Sequence, residues 1–403
     1  MPETPLALIT LVVGVLIVAS TLLKEAGRRV GFPGVVAFLL VGVVLGFVDA
    51  EFDWMGDSGR YAITFLGNLG IFALLFRVGL ESDIETLAKY LRRATPVWLG
   101  NMVVSGGAAY LFARYGLEYG LIPSLFTAGA LTATSVGVSV TVWEEADQLT
   151  TPAGQLLVDV AEMDDLSGVV VMGLLLAIAP VVHAGNNQGL PSLVLSTTGW
   201  FFLKLVVFAA GCYAFSKHVE PKMTNWFASF ERAPNPMISV VGVGLVIASI
   251  AGLMGFSIAI GGFFAGLTYS RDPKAVHMDA DFSTLYNFLT PFFFIQLGLQ
   301  FNPSSLSGAV VTGSVLLLAA VGGKLAGSEL GGLMVEEWTP VLSVSMVPRA
   351  EIALVIMEQG HELGDWAVPD ELFSAMILVS AMTCLVVPFV VRHQLSASQS
   401  EVS

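Results

Sequence analysis

Residues 157–168 read Leu157-Val158-Asp159-Val160-Ala161-Glu162-Met163-Asp164-Asp165-Leu166-Ser167-Gly168, four carboxylates inside an apolar run from 152 to 182. Asp165 is about thirteen residues into that run, or ~20 Å along a helix. A run of this length is what the hydrocarbon core of a bilayer, about 30 Å thick, requires. The rest of the chain agrees. Its 403 residues are 55% hydrophobic and 12% charged, with a mean hydropathy of +0.78, whereas a soluble domain carries about 25% charged residues. Most runs lack the alternation of a membrane β-barrel. The fold class is therefore an all-α polytopic membrane protein, with the lipid bilayer as its surroundings. Eighteen Lys and Arg against 32 Asp and Glu give a net charge of −14, which argues against nucleic acid as a partner. Cys212 and Cys384 both fall in apolar runs and read as packing residues, not as a disulfide or metal framework. The opening Met1-Pro2-Glu3-Thr4 has no basic region, so the first run is expected to remain as a span.

Hydropathy and breakers place about thirteen spans, at 5–22, 34–48, 62–80, 96–114, 121–143, 152–182, 199–217, 236–252, 255–270, 285–301, 308–333, 339–359 and 370–391. Loop charge tests that count. With the loops numbered alternately, one side receives Lys24, Arg28, Arg29, Lys89, Arg92, Arg93, Lys217, Lys222, Arg232, Arg271, Lys274 and Arg392, and the other only Arg60 and Arg114. The positive-inside rule makes the basic side cytoplasmic, with the N-terminus outside and the C-terminus inside. The outer loops are acidic: Asp49, Glu51, Asp53 and Asp57 in one, Glu362, Asp365, Asp370 and Glu371 in another. They read as a solvated outer face. The remaining four basic residues, Arg77, Lys204, Lys324 and Arg349, fall within or near spans. A charge at bilayer depth costs about 2.5–3.5 kcal/mol or more, so each needs a partner or a purpose.

The two halves resemble each other. Gly31-Phe32 opens the second run with Gly42 eleven residues on, and Gly255-Phe256 opens the ninth with Gly266 at the same distance. Gly79-Leu80 closes the third run and Gly298-Leu299 the tenth. A shift of seven spans is odd, so related segments cross in opposite directions. Inverted-topology repeats of this kind are the common plan of secondary transporters, which bind substrate near the midplane.

Within that plan the charged centre is legible. Glu162 and Asp165 are three apart and share a helix face, while Asp164 points elsewhere. Two adjacent carboxylates in a low dielectric do not both stay ionised cheaply, which is the property a proton-exchanging site needs. Carboxylates, hydroxyls and backbone carbonyls also supply the oxygen ligands that hard cations take. Lys324 is an available counter-ion for Asp164, and simple pairing between helices is the alternative role for these acids. Asp159, nearer the cytoplasmic end, reads as solvated or helix-terminal. The run at 121–143 carries Thr132-Ala133-Thr134-Ser135-Val136-Gly137, and the run at 339–359 carries Ser345-Met346-Val347-Pro348-Arg349-Ala350-Glu351. Pro348 lacks an amide donor and breaks its helix. These two candidate broken helices stand seven spans apart and point to the ion site. Arg349 and Glu351 are placed to neutralise the dipole ends there, or else to pair with each other.

Taken in order, these motifs resemble the monovalent cation–proton antiporter superfamily, in the branch that includes Kef-type and Nap-type proteins. The resemblance rests on Asp164-Asp165 followed by Leu166-Ser167-Gly168, on Phe76 to Glu81 ending Val-Gly-Leu-Glu, on Thr134-Ser135-Val136-Gly137, and on Pro348-Arg349-Ala350-Glu351. The last looks like the family's Pro-Arg-Gly-Glu with Ala350 in place of the glycine. The resemblance covers nearly the whole chain. It implies a sodium/proton antiporter-like fold and a homodimer. A panel part (about 1–95 and 236–306) would dimerise, and a core part (about 96–183 and 307–392) would move, linked by the helix at 199–217. It makes Asp165 the shared cation and proton site, with Asp164, Thr134 and Ser135 beside it. Lys324 becomes the lysine that pairs with Asp164 in electrogenic members. Glu162 departs from the usual apolar residue and is at most accessory. Only about a dozen residues follow the last run, so the nucleotide-binding domain of some relatives is not expected, nor is any cofactor.

The expected activity is exchange of Na⁺ (or Li⁺), or K⁺, for H⁺ in a prokaryotic cytoplasmic membrane, with Na⁺ favoured and the ion held at Asp165 and Asp164. The protein reads as a transporter and not an enzyme. A K⁺/H⁺ antiporter or K⁺ efflux channel and a sodium-coupled organic solute carrier are the other readings. An intramembrane aspartyl protease needs its aspartates on two facing helices, whereas Asp164 and Asp165 are consecutive on one.

Overall fold

The computed structural model describes residues 3–30, 32–52, 54–82, 84–185, 190–223, 226, 237–270 and 275–402. Gly31, Asp53, Arg232, Arg271 and Lys274 lie outside these residues, as do the side chains of Arg28, Arg29 and Lys89. The helices are α1 (Glu3–Val30), α2 (Gly34–Phe52), α3 (Gly56–Glu81), α4 (Ile84–Gly100), α5 (Leu121–Thr132), α6 (Val136–Glu145), α7 (Pro152–His183) and α8 (Leu190–His218). They continue with α9 (Met237–Leu253), α10 (Ile258–Tyr269), α11 (Ala275–Leu299), α12 (Leu306–Gly332), α13 (Pro340–Ser345), α14 (Glu351–His361) and α15 (Asp370–Val402). The α4 axis runs on through a π-helical turn at Asn101–Ser105, an α-helical stretch at Gly106–Leu111 and a second π turn at Phe112–Gly116.

Every apolar run falls on a helix or a broken pair of helices. Among the described residues eight segments, with 121–145 taken as one, are long and apolar enough to cross a membrane, and Met237–Leu253 and Ile258–Tyr269 are shorter apolar helices. Several helices overshoot their runs: α4 starts at Ile84 and not 96, α11 at Ala275 and not 285, and α15 continues to Val402. Hydropathy marks only the apolar stretch, while backbone hydrogen bonding carries a helix on into polar turns. The joint between α9 and α10 is made by Gly255 at φ +85°, a left-handed conformation that glycine adopts without strain. Ser257 then caps α10 by accepting from the Ile260 amide at 3.3 Å.

The helices divide into two compact units. The first comprises Met1–Ile17, Met55–Ile84 and Pro180–Gln296. Its centre is α3 against α10, filled by Phe76, which stands 5.0 Å from the Phe282 ring and 6.4 Å from Tyr269. Two of the intramembrane cations are resolved here. Arg77 binds Glu81 at 2.6 Å and lies over the Tyr286 ring. Lys204 donates to the Met254 carbonyl at 2.9 Å, covering the C-terminal end of α9, where positive charge is favoured.

The second unit comprises Val18–Trp54, Glu85–Ala179 and Leu297–Ser403. In it α12 packs on α15 and on the π turn of α4, and α5 packs on α14. The α12–α4 contact is a seam of glycines four apart. A Cβ on Gly327 would lie 2.5 Å from the Gly100 carbonyl oxygen, one on Gly331 2.5 Å from Val97 Cα, and one on Gly323 3.0 Å from Ser105 Cα. Small residues at this spacing let two backbones touch inside a membrane.

The repeat glycines also make backbone crossings, one in each unit. A Cβ on Gly79 of α3 would lie 2.8 Å from Leu267 N, and one on Gly266 of α10 2.8 Å from Leu80 N. A Cβ on Gly298 of α11 would lie 2.7 Å from Val43 N and 2.8 Å from Gly42 Cα of α2. Exchanging the two halves of the chain turns the α3–α10 crossing into the α11–α2 crossing.

Candidate functional site

An interrupted helix leaves unpaired carbonyls at the end of one half and unpaired amides at the start of the next. The second unit brings two such interruptions together. After Thr132 the chain extends through Ala133 (ψ 147°) and resumes as α6 from Val136. After Ser345 it passes Pro348 and Ala350 and resumes as α14 at Glu351. The Ser135 amide donates to the Pro348 carbonyl at 2.9 Å, so the two breaks are hydrogen-bonded to each other. Ser139 Oγ donates to the Ser345 carbonyl at 2.7 Å and Trp143 Nε1 to Ser345 Oγ at 2.8 Å. The Ser135 hydroxyl donates to the Glu351 carboxylate.

Charge fills the same place. Lys324 Nζ donates to the Thr132 carbonyl at 2.7 Å and to Asp164 Oδ2 at 2.8 Å. Thr134 Oγ1 donates to that same oxygen at 2.5 Å. The Lys324 and Asp164 side chains are 0% and 1% exposed. Asp165, next along α7, is only half-buried, as is Glu162 on the same face. The acidic pair is thus divided between a sealed, paired carboxylate and a more accessible one.

Arg349 is fully buried and donates from Nη1 to the Met346 and Pro348 carbonyls, both at 3.0 Å, at the C-terminal end of α13. Its own carbonyl accepts from the Ser380 hydroxyl, and its amide donates to Thr383 Oγ1. Glu351 occupies the first turn of α14. Each charge therefore stands at the dipole end of opposite sign. Arg349 Nη1 is bonded to carbonyls, and Nε and Nη2 have no hydrogen-bond partner among the described residues. Asp159 is not a free terminal acid: it pairs with Arg93 at 3.0 Å, and Arg93 also reaches Glu337 at 3.6 Å.

Several polar groups around the site were not singled out from sequence. Asn101, fully buried in the π turn, accepts from Ser328 Oγ at 2.6 Å and donates to Met346 Sδ at 3.2 Å. Ser105 Oγ donates to the Leu131 carbonyl at 2.7 Å. Glu329 accepts from the Ser343 hydroxyl and from Trp338. Glu358 is fully buried in α14, with the Gln359 amide on one oxygen at 3.0 Å. Only Asn101, isolated in an apolar run, carried a sequence signal; the serines are indistinguishable from ordinary helix residues.

Two broken helices bonded at their breaks, beside a buried lysine–aspartate pair, are the architecture of a helical secondary transporter. The structure superposes on that of the sodium proton antiporter MjNhaP1 from Methanocaldococcus jannaschii with a TM-score of 0.71, covering 97% of each chain at 14% identity. Within that class the assignment is specific. The family described as "Sodium/hydrogen exchanger, transmembrane" matches residues 13–396, and the chain belongs to it. It is 26% identical to the Na⁺/H⁺ antiporter of Enterococcus hirae over 94% of this chain and 96% of that one. It is 26% identical to the high-affinity Na⁺/H⁺ antiporter NhaS3 of Synechocystis over 84% and 73%. With the Na⁺/H⁺-K⁺ antiporter GerN of Bacillus cereus it shares 24% over 96% of each.

Proposed function

We propose that the protein exchanges Na⁺ for H⁺ across a prokaryotic cytoplasmic membrane by alternating access, and that it is a transporter and not an enzyme. The observation that carries this reading is the crowding at Asp164 Oδ2, where Lys324 Nζ at 2.8 Å and Thr134 Oγ1 at 2.5 Å meet beside the two breaks. An ammonium there holds the place for which a monovalent cation competes. The names of the Enterococcus and Synechocystis relatives support Na⁺ as the cation.

In the proposed cycle Asp165, the more accessible carboxylate, binds either the cation or a proton. Asp164, Thr134 and Ser135 add oxygens of the type a hard cation takes. Lys324 holds Asp164 while the cation is absent and yields it when the cation arrives, which makes the exchange electrogenic if both groups change their proton count. Arg349 and Glu351 neutralise the half-helix ends, and Glu162 is accessory. The parts at about 96–183 and 307–392 carry the site, those at about 1–95 and 236–306 form the dimer contact, and the helix at 199–217 links them. The distribution of Lys and Arg supports an outside N-terminus and a cytoplasmic C-terminus.

The test is reconstitution into proteoliposomes with an imposed proton gradient. Added Na⁺ or Li⁺ dissipates the gradient in the wild type, and Asp165→Asn abolishes the response. Cation-dependent proton movement that survives in Asp165→Asn would overturn the assignment.

A further inference from the structure

The π turn of α4 is a part of the site's surroundings that the cycle above leaves without work. A π turn inserts an extra residue into the helical ladder and re-aims side chains, and such turns recur at functional sites. Here it aims two fully buried polar side chains, Asn101 and Ser105, at the elements that hold Lys324. Asn101 takes the hydroxyl of Ser328, one turn along α12 from Lys324 and on the same face. Its amide reaches Met346, inside the second break. Ser105 takes the Leu131 carbonyl, and Lys324 takes the next one, that of Thr132. The last two carbonyls of α5 are therefore shared out between the π turn and the lysine. The glycine seam brings the two backbones close enough for this: α4 and α12 touch through Gly100 and Gly327, immediately before Asn101 and Ser328.

We propose that the π turn Asn101–Ser105 is a positioning element for Lys324, fixing how firmly its ammonium holds Asp164 against an incoming cation. This rests on the reading of Asp164 and Lys324 as a coupled pair. Asn101 and Ser105 touch neither the cation nor the carboxylate; they act through the placement of α12 and of the α5 terminus. The other charged groups around the ammonium are Asp164 and Asp165 of α7 and Arg349 of the second break.

A lysine held less firmly competes less well for Asp164. The cation then binds more tightly and leaves more slowly. Asn101→Leu keeps the volume and removes both hydrogen bonds, and Ser328→Ala deletes a single hydroxyl in case the larger change prevents membrane insertion. In proteoliposomes each variant is expected to lower the apparent KM for Na⁺ by about three- to tenfold, the range that one net hydrogen bond carries, with a fall in maximal rate. A purely structural role lowers the maximal rate through fewer active copies and leaves KM alone. Wild-type exchange with an unchanged or raised KM in both variants would overturn the positioning role. Absence of Na⁺-driven proton movement in the wild type would instead overturn the exchange reading beneath it.

Discussion

Removing either member of the Lys324–Asp164 pair should damage the fold more than removing both. The two charges are 2.8 Å apart and 0% and 1% exposed. At an effective dielectric of about 20 their attraction is about 6 kcal/mol, set against a desolvation penalty of several kcal/mol for each ion. The pair is thus near balance while intact, and the balance fails when one partner goes. Lys324→Met leaves a buried carboxylate with only the Thr134 hydroxyl, and Asp164→Asn leaves a buried ammonium with the Thr132 carbonyl. Each single variant is expected to destabilise by about 3–5 kcal/mol. The double variant returns to within about 1 kcal/mol of the wild type, because what remains lost is one net hydrogen bond to the Thr132 carbonyl. Unfolding midpoints in detergent micelles, compared as a double-mutant cycle, measure the coupling. Additive losses, with a coupling below about 1 kcal/mol, would refute the view that these charges depend on each other.

Other substitutions test the frame around the site. Gly327→Ala places a Cβ 2.5 Å from the Gly100 oxygen and should destabilise by about 1–3 kcal/mol; Gly322→Ala on the same helix meets nothing within 4 Å and should be neutral or stabilising in the same thermal assay. Lys204→Met uncovers the Met254 carbonyl at the end of α9 and should cost about 1–2 kcal/mol, seen as a lower unfolding midpoint. Tyr119, in the loop before α5, has its phenol pushed up to about 12 chiefly by burial, with the charge of Glu371 adding to the effect. Its folded-state proton is held more tightly than the unfolded one, so its contribution is intact below pH 10.0 and is lost as pH rises towards about 12. Tyr119→Phe should flatten the fall in stability across that window, as read from denaturant midpoints at successive pH values.

The sequence carried the helices and their interruptions well, because both are written in single residues. Apolar runs are bounded by charge, and Pro348 cannot continue a ladder. The partner of Asp164 was legible for a related reason: intramembrane charges are few, and Lys324 had few acids to meet. Packing register was not legible. Gly100, Gly323, Gly327 and Gly331 are four among 42 glycines, and only the crossing of α4 with α12 shows which ones let backbones touch. The π turn was equally hidden, since an isolated Asn101 marks a polar position in an apolar run but not the extra residue in the helical ladder. Asp159 reads as solvated until the fold carries Arg93 of α4 to it.

The glycine crossings have a consequence for ancestry. Gly79 and Gly266 belong to one crossing, Gly298 and Gly42 to the other, and each joins a helix of the first half to a helix of the second. A half-length chain bearing one copy of each glycine would hold the two sides of a single joint on neighbouring helices, and would have no partner for either within itself. Two such chains inserted in opposite orientations would close both joints at once, by the same self-complementary contact used twice. Fusion of the halves needs no new joint, only a connection. The equivalence of the two crossings is the pattern that such a fusion would leave.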